Sequence, residues 1–247
     1  MGEPMNEFGT DALRAALAER SDPAVQKHWQ RYLKGEADFI GVPMAGVRAT
    51  VTQFWHNGLV DAGVEQQRQV FSAWAAQPYT EERLAAVLLL AERLANELTD
   101  DDLAMLVQPL SSGAFADWNI VDWYSTKALA KFVAGGDREQ RSDAVLSWAN
   151  SDQLWQRRAA VVSFVPHAQQ PRDFLTDLPE KLLLACDGNI QASVERFAHT
   201  GVGWLLREMS LAEPDLVTEY VTGHPELSAE ARRMATAKLR PGPYRRR

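Results

Sequence analysis

The sequence has 247 residues, 46% hydrophobic and 24% charged, the balance of an ordinary globular chain. Its apolar runs, such as residues 85–91 (AAVLLLA), are too short to span a bilayer. Its acidic start does not read as a signal peptide, and its one cysteine, Cys186, excludes a disulfide framework and a cysteine-rich metal site. The net charge of −7 is uneven: residues 1–150 hold 13 Lys+Arg against 21 Asp+Glu, residues 151–247 hold 13 against 12. A polyanion would therefore meet the C-terminal part, and the Arg245-Arg246-Arg247 tail adds charge there. The chain is expected in the cytoplasm and away from membranes.

In chain order, Ser21-Asp22-Pro23 marks a helix start, a polar cap followed by Pro at the first helical position. Val25, Trp29, Tyr32 and Leu33 follow at helical spacing. The stretch 39–48 (FIGVPMAGVR) is the best strand candidate, but Pro43 and two glycines make it a connector. Thr80-Glu81-Glu82 opens a helix with Leu84, Val87, Leu88, Ala91 and Leu94 on one side. Thr99 and the acids Asp100, Asp101 and Asp102 open another, with negative charge at the positive end of its dipole. Asp11, Asp137, Asp173 and Pro214-Asp215 mark further starts; Gly135-Gly136 and Gly223-His224-Pro225 are stops. Asp117-Trp118, Asp152-Gln153 and Asp187-Gly188 stand near helix starts at intervals of 35 residues. The expected fold is all-α: one domain over 1–247, an α-solenoid of about six HEAT-like helical-hairpin repeats with a concave groove, and loose ends at 1–20 and 241–247.

Three stretches carry unusual chemistry. In Asp117-Trp118-Asn119-Ile120-Val121-Asp122-Trp123, Trp118 and Asp122 are one helical turn apart and share a face. Trp155-Gln156-Arg157-Arg158-Ala159-Ala160 puts two cations into an apolar helix. In Gly201-Val202-Gly203-Trp204-Leu205-Leu206-Arg207-Glu208, Trp204 and Arg207 share a face, whereas the adjacent Arg207 and Glu208 are not expected to meet. The glycines, each costing about 1 kcal/mol against Ala inside a helix, mark the close approach of a neighbouring helix or of a DNA backbone.

These stretches, in this order and spacing, resemble the AlkD-type HEAT-like-repeat alkylpurine DNA glycosylases over about residues 20–240. The segment Phe39-Ile40-Gly41-Val42 is similar to that family's glycine-containing connector, with Pro43 placed differently from its usual proline. The resemblance implies hydrolysis of the N-glycosidic bond of cationic N3- or N7-alkylated purines in duplex DNA, without a tight base-flipping pocket. It implies that Asp122 is the catalytic carboxylate and that Trp118 and Trp204 hold the damaged nucleotide. It gives Arg158 and Arg207 DNA contacts. Arg157 and His199 are further DNA-binding candidates. Where the family commonly has Gln-Lys-Ala before Ile-Gly-Trp, this chain has His199-Thr200-Gly201 before Val202-Gly203-Trp204, so one basic contact is missing.

The residue chemistry suits that reaction. A cationic base leaves with little protonation, and positive charge builds on the sugar as in other glycosyl transfers. A carboxylate stabilises that charge and orients water. Indole faces attract cations by about 0.5–2 kcal/mol each. Trp29, Trp55, Trp74 and Trp148 are read as packing residues, and Trp123 and Trp155 as mainly structural. No serine-hydrolase elbow or phosphate loop is present, and the five histidines never pair at metal spacing, so no metal or cofactor is expected. The expected partner is duplex DNA containing alkylated purines, met by a monomer, with bulky minor-groove adducts as an extension of the substrate range. Two other readings stand beside this one: a catalytically silent DNA-structure-binding homologue, and a HEAT-repeat protein-interaction scaffold, which the acidic charge favours.

Overall fold

The computed structural model describes residues 7–192 and 194–239; the Arg-rich tail lies outside them. The described residues are helical and contain no strand; their one isolated β-bridge joins Asp38 and Tyr79. No helix among them is long and apolar enough to cross a membrane, and no group of three His, Cys, Asp or Glu could hold a metal ion. The chain divides between Lys131 and Phe132 into two compact units.

The first unit holds α1 (Thr10–Ala18), α2 (Pro23–Tyr32), α3 (Met44–Phe54), α4 (Val64–Ala75), α5 (Thr80–Leu89), α6 (Leu103–Ser111) and α7 (Trp118–Tyr124). Its centre is α5, which contacts α1, α3, α4 and α7. Residues 84–90 are at most 5% exposed, so this helix is apolar all round rather than on one side, as befits a helix with neighbours on every face. Two acids at its first turn are also buried. Glu82 accepts from the Tyr79 N–H (3.1 Å) and from Arg14 Nε (2.8 Å). That pair and the burial of Leu13 and Leu17 anchor α1, within a stretch expected to be loose.

Glu81 reaches back to the connector. Its two carboxylate oxygens accept from the Ile40 (2.9 Å), Gly41 (2.8 Å) and Val42 (3.0 Å) N–H groups. Gly41 has φ +102°, and a Cβ there would lie 2.7 Å from the Asp22 carbonyl, so only glycine fits. The connector ends earlier than expected: Pro43 closes the extended piece and Met44 already begins α3. The Asp22-Pro23 start is as expected, with Asp22 Oδ1 accepting from the Ala24 N–H (2.7 Å). Yet α2 buries none of its residues; Trp29 is half-buried on Phe39, and Tyr32 is 55% exposed.

A short helix, α8 (Ala130–Ala134), spans the division. The second unit continues with α9 (Arg138–Leu146), α10 (Leu154–Val162), α11 (Pro171–Phe174), α12 (Leu178–Ala192), α13 (Arg196–Met209), α14 (Pro214–Gly223) and α15 (Ala229–Thr236). Its core joins Ala159–Val162 of α10, Leu182, Cys186 and Ile190 of α12, and Val202, Leu205, Leu206 and Met209 of α13. The expected 35-residue recurrence fails here. Asp117 caps α7 and Asp152 just precedes α10, but Asp187-Gly188 lies deep inside α12. Asp187 instead faces His224, with Nε2 3.5 Å from Oδ1.

Candidate functional site

The first candidate cluster is built on α7. Asp117 starts the helix by accepting from the Asn119 (2.9 Å) and Ile120 (3.0 Å) N–H groups. Burial raises its pKa, those two bonds and Arg83 oppose the rise, and the charge of Asp122 adds to it. Ile120, Val121 and Tyr124 point inward and are fully buried, and the Tyr124 hydroxyl donates to the Leu106 carbonyl (2.7 Å). That inward stripe fixes the rotation of the helix. Trp118 and Asp122, one turn apart, are left half-buried on the other side. The ring of Trp118 meets Tyr32 of α2 edge-on, with centroids 5.8 Å apart. A wider π-helical turn, Ser125–Leu129, follows immediately, and the Thr126 hydroxyl donates to the Asp122 carbonyl (2.7 Å). The segment carrying Asp122 is thereby pinned at its start, on its inner face and at its end.

The second cluster lies on α10 and α13. Arg157 is 3% exposed; it donates to the Ser151 carbonyl (2.7 Å) and to Glu195 (3.3 Å). Arg158 is 5% exposed; its Nη1 donates to the Phe197 carbonyl (2.8 Å) and to Thr200 Oγ1 (3.2 Å). Both arginines thus fasten the start of α13 to α10, where Trp155 also packs against Phe197. His199 is buried and accepts at Nδ1 from the Ser228 N–H (3.1 Å), the cap residue of α15. One turn on, Gly203 lies against the α15 backbone: a Cβ there would be 2.7 Å from the Ala231 carbonyl oxygen. The close approach signalled by the glycines is that of a helix at Gly203, and the Arg158 side chain lies beside Gly201.

Trp204 and Arg207 are the half-buried members of the third motif. Contrary to expectation, Arg207 does pair with its neighbour: its Nε donates to Glu208 (2.9 Å). Glu208 also accepts from Gln169 (2.8 Å) and from Lys238.

Residues 13–239 match the family model described as DNA alkylation repair enzyme. The chain belongs to the DNA alkylation repair enzyme family. A solved structure of an Enterococcus faecalis protein, described as a predicted DNA alkylation repair enzyme, shares its fold: TM-score 0.73, 19% identity, covering 89% of this chain and 97% of that one. No curated protein sequence matches the chain. The all-α fold expected from the sequence is the fold of this alkylation repair family member.

Sequence reasoning missed one buried device of this repair protein. Glu81 was read as a helix-start acid, but it clamps the connector. The signal was available: a Gly-Val-Pro connector exposes backbone N–H groups that need an acceptor. Trp29, expected as a packing residue, stacks on Phe39, and both it and Trp123 line a small cavity beside α7.

Proposed function

We propose that this family member is a DNA glycosylase that hydrolyses the N-glycosidic bond of cationic N3- or N7-alkylated purines in duplex DNA. The observation that carries the proposal is Asp122, half-buried one turn from Trp118 on a helix pinned at its start, along its inner face and at its end. In the proposed reaction the C1′–N bond breaks, and its electron pair leaves with the alkylated base, which becomes neutral. The sugar carries the positive charge that the base gives up. The carboxylate of Asp122 stabilises that charge and orients a water; the water oxygen bonds to C1′, its proton is released, and an abasic site remains.

The indole of Trp118, steadied by Tyr32, offers an electron-rich face to the developing cation. Trp204, on α13, is assigned a stacking contact with DNA. Arg207 supplies the phosphate contact, being the half-exposed arginine of the motif set. Arg157, Arg158 and His199 serve DNA binding through their grip on α13 and α15, since each is buried. The protein acts on duplex DNA as a monomer in the cytoplasm, and bulky adducts fall within its range.

The test is release of free base from duplex DNA containing N7-methylguanine, wild type against Asp122→Asn. Release that the substitution abolishes supports the assignment. Release that the substitution leaves intact removes Asp122 from the chemistry. No release by either protein, with salt-sensitive DNA binding retained, replaces the glycosylase reading with a binding role.

A further inference from the structure

The described part of the first unit, residues 7–131, holds eleven Lys and Arg. Three of them face carboxylates: Arg14 with Glu82, Arg48 with Glu92 and Arg68 with Asp102. Five more donate to neutral oxygens or lie over an indole ring. The other three, Lys27, Arg31 and Lys34, are all exposed, and the side chain of none makes an ion pair, hydrogen bond or ring contact with another described residue. Single exposed cations are ordinary. These three stand together on α2 and just past its end, in the acidic part of the chain, where residues 1–150 hold 21 acids against 13 bases.

Packing does not account for this grouping. Lys27 and Arg31 are one turn apart on one face, so they repel and disfavour the helix. α2 buries none of its residues, so little packing offsets that repulsion. The negative end of the helix dipole favours Arg31 and Lys34, but not Lys27, which lies mid-helix. The neighbouring acids do not neutralise the stripe. Asp22 caps the opposite end by accepting from the Ala24 N–H (2.7 Å), and Glu36 is exposed beyond Lys34. The stripe also borders the candidate site within the first unit. Tyr32, between Arg31 and Lys34 in the chain, meets the ring of Trp118 edge-on with centroids 5.8 Å apart, and Trp118 shares its face of α7 with Asp122.

We propose that α2 is a grip on the DNA backbone: Lys27, Arg31 and Lys34 hold phosphates of the duplex beside the Trp118–Asp122 site. The proposal rests on the glycosylase reading for its partner. It places a phosphate-binding surface in the part of the chain whose overall charge points away from polyanions. The ammonium of Lys and the planar fork of Arg both suit phosphate oxygens. Contacts to phosphate fix register without reading sequence, which suits a protein that meets damage in any sequence.

The test measures binding of the full chain to an undamaged duplex by fluorescence anisotropy, from about 50 to 200 mM salt. Wild type is compared with the triple variant Lys27→Gln, Arg31→Gln, Lys34→Gln. A second triple variant, Arg48→Gln, Arg172→Gln, Lys181→Gln, removes the same charge from cations that already face carboxylates. Each phosphate contact adds about 0.9 to the slope of log affinity against log salt, so the α2 variant should flatten that slope by about 3 and bind at least about tenfold more weakly at the low-salt end. The second variant should lose less than about threefold, through long-range charge alone. Lys27→Gln by itself should flatten the slope by about 1 and decides the matter if the triple variant fails to fold. Equal slopes throughout, or an equal loss in both triple variants, overturn the α2 surface, as does a wild type that does not bind duplex DNA. The two readings fail separately. A flattened slope without base release from N7-methylguanine duplex by the wild type sinks the glycosylase and keeps the α2 surface; base release with an unchanged slope does the reverse.

Discussion

α7 and α13 each carry a half-buried tryptophan and a charged residue on a helix, but they are held in opposite ways. α7 is short and is fixed by backbone and apolar devices: the Asp117 cap, the inward Ile120–Val121–Tyr124 stripe and the π turn after Tyr124. Its charged residue of interest stays half-exposed. α13 is long and, besides the core contacts of Val202, Leu205, Leu206 and Met209, is fixed by polar side chains. Arg158 bonds to its first turn, His199 ties it to the cap of α15, and Glu208 gathers three donors. The charged residues singled out in the sequence are therefore buried in tertiary contacts in one helix and half-buried in the other. Burial, not residue type, separates chemistry from scaffold.

The sharpest break of that comparison is Asp122→Asn. Base release should fall about 10²–10³-fold, some 3–4 kcal/mol in the barrier, with the fold retained. A stable variant that keeps its activity would make α7 scaffold like α13. The converse test is Gly203→Ala. Helix propensity alone would favour the change by about 1 kcal/mol. The added Cβ would lie 2.7 Å from the Ala231 carbonyl oxygen and 2.8 Å from its Cα, both backbone atoms. Urea unfolding should show a net loss of about 1–3 kcal/mol. A gain instead would show that α15 seats loosely on α13.

Glu81→Gln tests the clamp in the first unit. Gln keeps one acceptor oxygen for two of the three N–H groups and turns an amide NH₂ toward the third. A loss of roughly 1–3 kcal/mol in chemical denaturation is expected. An unchanged midpoint would mean the connector is held by Gly41 and its neighbours without the acid.

These contrasts mark what the sequence could reveal. Helix starts were legible because caps act locally: Asp22, Asp117 and Asp137 each accept from a backbone N–H two or three residues on. The Trp118–Asp122 pairing was legible because it depends only on the helical repeat. Burial of Arg157, Arg158 and His199 was not, because it depends on partners 29 to 42 residues away in the chain. The false recurrence at Asp187 has the same origin: an Asp-Gly pair looks like a start until the helix is seen already running from Leu178. α2 fails in the other direction. Its apolar spacing gives a true helix, but its aromatic face packs on a connector and on Trp118 rather than in a core.

The smallest expected effect concerns Glu208, where the polar fixing of α13 can be read by pH. Burial alone would raise its carboxyl pKa, but hydrogen bonds from Lys238, Gln169 and Arg207 outweigh it and hold the group below its ordinary value of 4.5. A carboxyl whose folded pKa is depressed binds fewer protons in the folded state than in the unfolded state. Its stabilisation is therefore complete above the ordinary value and is lost as pH falls through the folded one. Glu208→Gln should cost about 1 kcal/mol at neutral pH, and the gap to wild type should shrink as the pH drops below 4.5. A gap that persists undiminished into acid would mean that Glu208 holds α13 by shape rather than charge. That outcome would move α13 toward α7 in how it is built, leaving the Arg158 and His199 bonds as the polar ties of α13.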